Sequence, residues 1–189
     1  MKKYLRATEI MDWQHPAVFA QAKTLAANRA TTFDIVRACF TWVRDSISHT
    51  HDASLETVTC KASAVLQAGT GLCYAKSHLL AALLRANGIP TGLCYQRLSY
   101  DEDRSRFCLH GLNAVYLSDI GWYRIDARGN KPGVDAQFTP PVEQLAFPIT
   151  YAGERDIPGI LSDPLPEVVA ALTQSTKLLD VWDHLPDAE

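Results

Sequence analysis

Residues 69–90 constrain the fold more than any other stretch of this chain. Gly69-Thr70-Gly71-Leu72 leads into an apolar run in which Ala75, Leu79, Ala82, Leu83 and Ala86 recur at helical spacing. Gly88 stops the run and Pro90 follows it. A helix is therefore predicted from Cys73 to Asn87. It is the most hydrophobic helix in the sequence, and it belongs in the middle of a core. Past Pro90 the apolar residues recur at every second position instead. Thr91 to Leu98, Leu109 to Leu117 and Trp122 to Ala127 read as strands, the last two joined around Ser118-Asp119-Ile120-Gly121. Asp101 to Arg106 reads as a charged loop.

Upstream, Pro16 can open a helix running to about Asn28. Phe33 to Ile47 carries Val36, Phe40, Val43 and Ile47 on one face, with Thr31 and Asp34 as a variant capping box. Ser48 to Thr59 is polar and reads as a loop, and Ala62 to Gln67 as a short helix closed by Gly69. Downstream of Gly129, Pro and Gly recur until about Pro158, which predicts a segment wrapping the surface. A last helix is predicted from the cap pair Asp163-Pro164 to about Leu179. Helices first, then a central helix, then an antiparallel sheet make an α+β pattern. With 189 residues, one domain is expected, its core over about 33–130, with a wrap and helix over 131–189.

Charge narrows the partners. The formal net charge is -3, and Lys and Arg are scattered, so no basic stripe marks a nucleic-acid interface. No stretch approaches the roughly 20 apolar residues that cross a bilayer, so no membrane partner is expected. Met1 to Arg6 is basic, but Glu9, Asp12 and Gln14 interrupt any following apolar run, which speaks against a signal peptide. The expectation is a cytoplasmic protein. Five cysteines, an odd number with no C-x-x-C pair, suggest neither a disulfide framework nor a zinc site. Cys39 and Cys94 lie in apolar runs and suit the role of small buried hydrophobes.

Cys73 is different, because it follows two glycines and starts the central helix. A helix start presents free N–H groups and a partial positive charge, which favour a thiolate nucleophile and can hold an oxyanion. A cysteine nucleophile needs a base, and the base needs an orienting partner. His110 opens one predicted strand and Asp126 closes the next. Taken as residues alone, they read more simply as an edge histidine and a strand-end cap. By parity they share a sheet face. With Ser118 opposite Trp122, however, Asp126 falls opposite Ala114, an offset that only a strong twist, a bulge or a curled end closes.

Three ordered segments resemble transglutaminase-like proteins. Gly69-Thr70-Gly71-Leu72-Cys73, with Arg85-Ala86-Asn87-Gly88-Ile89-Pro90 closing the helix, looks like that family's G-x-G-x-C and R-x-x-G-[IV]-P nucleophile motif. His110-Gly111-Leu112-Asn113 and Gly121-Trp122-Tyr123-Arg124-Ile125-Asp126 resemble its His strand and its G-W-x-x-x-D strand. Ala38 to Asp45, with Trp42-Val43-Arg44, resembles its upstream helix. The sequence departs where the family often has H-A-W and Asp-Pro-Thr. The resemblance implies a papain-like fold, with the central helix packed on an antiparallel sheet. It also implies Cys73 as nucleophile, His110 as base and acid, and Asp126 as orienter. The activity implied is acyl transfer on an amide or peptide carbonyl through a thioester, as peptidase, amidase or transferase. The chemistry requires no cofactor or metal, and its partner is a peptide, protein or small amide substrate. A non-catalytic peptide- or protein-binding module on the same fold is the alternative.

Other candidates read as structural. Gln67 lies six positions before Cys73, the offset of the oxyanion-hole Gln in papain-like enzymes, but a helix-end surface residue is expected. His49, His51 and Asp52 lack a third metal ligand and read as a solvated loop. His78 points away from the Cys73 side of its helix, and Trp42 and Trp122 read as core. Arg128 and Lys131 suit a substrate carboxylate, with solvated surface charge as the plainer expectation.

Overall fold

In a computed structural model of the chain, which describes residues 1–101, 103–175 and 177–188, the central helix has no solvent-facing side. Every residue from Tyr74 to Ala86 is buried. That follows from the elements packed around it. Three helices precede it: α1 (Pro16–Ala26), α2 (Thr32–Ser46) and α3 (Ala62–Ala68). All three pack against α4 (Cys73–Ala86) on one side. Strands β3 (Thr91–Ser99) and β4 (Phe107–Leu117) pack on the other. The polar residues Lys76, Ser77, His78 and Arg85 are therefore buried with the leucines. Gly69, in the left-handed conformation at φ 66°, closes α3 as expected.

The sheet has four strands in the order β5-β4-β3-β6, all antiparallel, with β5 at Gly121–Ile125 and β6 at Arg155–Leu161. Its helix-facing side joins the main core, where Leu93, Leu109, Val115 and Leu117 meet α4. Its other side carries a smaller apolar cluster of Cys94, Leu112 and Ala114. The likeness of this layering to the expected α+β core is close. Three expectations are corrected.

First, β6 lies where a wrapping segment was expected. Pro158 and Gly159 break its alternation, and a shift in its pairing with β3 accommodates them. A proline that donates no ladder bond is tolerated on an edge strand. Second, two residues of the expected loop at 48–59 form a short strand, β1 (Ser48–His49). It pairs in parallel with β2 (Thr70–Gly71), so that His49 aligns with Gly71. Third, the last helix is two helices, α5 (Pro166–Gln174) and α6 (Leu178–Asp183). Asp163 does not cap α5, because its carboxylate accepts from Arg6 and Ser162. Pro166 takes the first turn instead, and Ser175 is extended and separates the two helices.

Arg85, from the closing motif of α4, is 2% exposed. Its guanidinium donates to the carbonyl of Thr91 at 3.0 and 2.8 Å, of Arg6 at 3.1 Å and of Ser162 at 2.8 Å. Burial lowers its pKa from 12.5 to about 10, yet it stays charged at neutral pH. Its role is to hold together three stretches remote in sequence, at the end of α4 opposite Cys73. Among the described residues, no helix is long and apolar enough to cross a membrane.

Replacing Arg85 with Met keeps the volume and strands three buried carbonyls. At about 1 kcal/mol or more for each, the expected loss is about 3 kcal/mol. In a thermal melt this lowers the midpoint by roughly 6 to 12 °C.

Candidate active site

Cys73 is the first residue of α4, and Leu72 before it is extended. The turn that delivers it is braced. Thr59 Oγ1 donates to the Thr70 carbonyl at 3.0 Å, and the Thr50 and Thr70 hydroxyls meet at 3.1 Å. The first α-helical bond runs from the Lys76 N–H to the Leu72 carbonyl at 2.9 Å. The N–H groups of residues 73 to 75 thus lie in the turn that has no partner within the helix. Cys73 is half-buried and lines a cleft of about 310 Å³.

The base candidate reaches this helix start through a close contact. Gly111, next to His110 on β4, lies against Tyr74. A Cβ built on Gly111 would stand 2.9 Å from the Tyr74 ring, 3.1 Å from its Cα and 3.3 Å from its backbone nitrogen. Only glycine lets strand and helix approach this far. The Tyr74 hydroxyl donates to the Leu109 carbonyl and pins the two elements together. His110 is thereby brought to the same cleft as Cys73.

Asp126 follows the last residue of β5 and is fully buried. The hairpin pairs Leu117 with Gly121, not Ser118 with Trp122. Continued past Asn113 and Ile125, that register sets Asp126 across from Leu112, two residues from His110 rather than four. A diagonal neighbour at that separation is within reach of a His and an Asp side chain. The His110 Nε2 to Asp126 Oδ2 distance is 2.7 Å. That leaves Nδ1 as the ring nitrogen not engaged by Asp126. The remaining Asp126 lone pairs accept from the backbone N–H of Arg128 and of Ala146, each at 3.1 Å. Phe147 packs edge-on against the His110 ring at 5.0 Å.

The electrostatics of the pair follow from this geometry. Burial by itself lowers the His110 pKa, but the Asp126 carboxylate and the Cys73 sulfur outweigh it and raise it from 6.5 to about 10. Burial by itself raises the Asp126 pKa. His110 and the two backbone N–H groups outweigh it and hold the carboxyl below its ordinary value of 3.8.

Several cleft residues gave no signal as a group in the sequence. Arg128 was expected to be solvated, but it is 8% exposed and forms a two-pronged ion pair with Asp52 at 2.6 and 3.1 Å. Lys131 joins the same carboxylate at 2.7 Å. Asp52 and Arg128 are 76 positions apart, and no local pattern links them. The His49 side chain is 8% exposed at the cleft wall, where burial first, and Arg128 next, lower its pKa to about 3 and keep it neutral. Cys108 and Trp182 also line the cleft. Gln67 sits exposed on α3 and does not line it. His78 is packed as expected, its Nδ1 2.9 Å from the Cys60 carbonyl. Among the described residues no group of three or more His, Cys, Asp or Glu side chains is arranged to hold a metal.

A model of the transglutaminase-like superfamily matches residues 20–127. That span runs from α1 to the residue after Asp126. Among solved structures, a candidate cysteine protease from Cytophaga hutchinsonii aligns with a TM-score of 0.54 at 17% identity, over 66% of this chain and 40% of its own. The periplasmic domain of TgpA from Pseudomonas aeruginosa aligns at 0.49 and 18% identity, over 66% of this chain and 45% of its own. The chain spans less than half the length of both, and the first shares its fold. No curated protein matches it.

Gly111→Ala forces α4 and β4 apart at about 1–3 kcal/mol for the overpacked methyl. The wider separation of Cys73 and His110 should slow Cys73 alkylation while the protein stays folded, as read by labelling and melting on one sample. Stability should also follow pH in two arms. The His110 contribution is complete below about pH 6.5 and is lost as pH rises toward 10. The Asp126 contribution is complete above pH 3.8 and is lost as pH falls through its lower folded value. Urea denaturation of Asp126→Asn should lack both declines.

Proposed function

This chain belongs to the transglutaminase-like superfamily, and from that premise we propose that it is an acyl-transfer enzyme with Cys73 as its nucleophile. The reading rests above all on one observation: the 2.7 Å bond from His110 to a fully buried Asp126, with the other ring nitrogen left for Cys73. Asp126 orients the ring and supports its positive charge. His110 takes the proton of Cys73, and the sulfur attacks the carbonyl carbon of an amide. The carbonyl electrons move to oxygen, and the N–H groups at the start of α4 receive that charge. The intermediate collapses to a thioester as the C–N bond breaks, and His110 gives its proton to the departing amine.

The second half runs in reverse with a new nucleophile. His110 accepts a proton from water or from an amine, the thioester carbonyl is attacked, and Cys73 leaves as thiolate. Water makes the reaction a hydrolysis, as in a peptidase or amidase; an amine makes it a transfer. A pure binding scaffold has no use for a buried imidazole–carboxylate pair beside a half-buried thiol, which favours the catalytic reading.

At about pH 6, iodoacetamide should modify Cys73 about tenfold or more faster than a free cysteine, which is mostly protonated there. His110→Ala should remove the difference. A Cys73 rate equal to that of free cysteine overturns the proposal. Mass spectrometry after mixing with an amide library should find an acyl mass on Cys73 and none on Cys73→Ala.

A further inference from the structure

Residues 177–188, outside the family match, supply Trp182 and Leu185 to the cleft wall. They start from the loop after β1, where Thr57 bridges Lys177 and the Leu178 N–H donates to the Glu56 carbonyl at 3.2 Å. Trp182, on α6, then bridges the two walls. On one side His51 stacks on its ring at 4.3 Å, with 9° between the planes. On the other, Tyr100 meets it edge-on at 6.2 Å. Leu185 lines the cleft as well.

The same segment occupies the sheet edge beside His110. β5 leaves β4 after Asn113, so residues 107–112 of β4 have a free edge there. An extended peptide docking alongside the base would add to that edge as a strand and use its backbone donors. The Leu109 N–H already donates to the Pro186 carbonyl at 2.7 Å. Two further anchors hold the segment down. Arg97 clamps Asp187 with two bonds of 2.7 Å, and Arg155 donates to the Ala188 carbonyl. What remains is a cleft of about 310 Å³, at the small end of ligand sites, which run from about 300 to 1,000 Å³.

We propose that Trp182 and Leu185 make the cleft a dead end, so that the acyl donor is a small amide or an amide at the end of a chain. An internal bond of an extended polypeptide is excluded, because the chain would need both ends of the cleft and the β4 edge. Leu98, Tyr100, Phe147 and Trp182 are among the residues that line the cleft, so an apolar or aromatic acyl group fits it. This inference rests on Cys73 being the reacting atom.

The test uses two alkylating probes of equal chemistry and unequal size. One is iodoacetamide. The other is a long flexible peptide with an iodoacetyl group on a central diaminopropionate, too short a tether to reach past the peptide backbone. Modification is read at Cys73 by mass spectrometry, with free cysteine as reference for both probes. The native protein should discriminate against the peptide probe by about tenfold or more relative to free cysteine, and Trp182→Ala should recover most of that difference. Leu185→Ala should recover part of it and serves alone if Trp182→Ala has no cooperative melting transition above the assay temperature. Equal relative rates for both probes on the native protein overturn the inference, as does an unchanged ratio in the folded variants. Failure of the nucleophile assignment looks different: iodoacetamide itself then reacts no faster than with free cysteine at about pH 6, whatever the ratio of the probes.

Discussion

The contact of Gly111 with Tyr74 sets the geometry of everything around the cleft. A strand and a helix start meet there at a distance that a single methyl group forbids. The Tyr74–Leu109 bond fixes the contact, His110 is the next residue along the strand, and Cys73 is the residue before Tyr74. Cys73 and His110 are thus each one peptide unit from a common anchor. Asp126 need only satisfy the far nitrogen of the ring, and the shortened hairpin brings it within one diagonal step. With glycine at 111, the two elements stand closer than an alanine there would allow.

The legible part of the fold was the part governed by local period. The switch at Pro90 from helical to alternating spacing located α4, β3, β4 and β5 within a residue or two, because burial on one side or all sides leaves a regular imprint. The strand β6 left no such imprint. Its place depends on pairing with β3, some sixty residues earlier, and Pro158 and Gly159 erase its alternation. The register of the β4–β5 hairpin was misjudged by two residues, since a loop containing one glycine admits more than one closure. The two-residue strands β1 and β2 are too short to show any period at all.

The site divides in the same way. Cys73 stood out by its glycines and its place at a helix start, and His110 and Asp126, paired in the sequence through ordered resemblance, do meet at 2.7 Å. Arg128 was not, because its partner Asp52 comes from a loop 76 positions away, and charge in a sequence carries no label of burial. Lys76 makes the same point. It lies three residues past Cys73, fully buried, and donates to the carbonyls of Arg44 and Ile47. Burial, with Arg128 nearby, lowers its pKa to about 7. Both cations are held by groups that only the folded chain assembles.

Arg85 binds one carbonyl each from the segment before α1, the start of β3 and the link after β6. A guanidinium buried this deeply tolerates no vacant partner. If any one stretch peels away, the charge faces an apolar gap, and the cheapest relief is for the other two to let go as well. The three therefore open as one cooperative unit. Their amide protons should exchange with solvent only through that shared opening, although almost the full length of the chain separates the first stretch from the last.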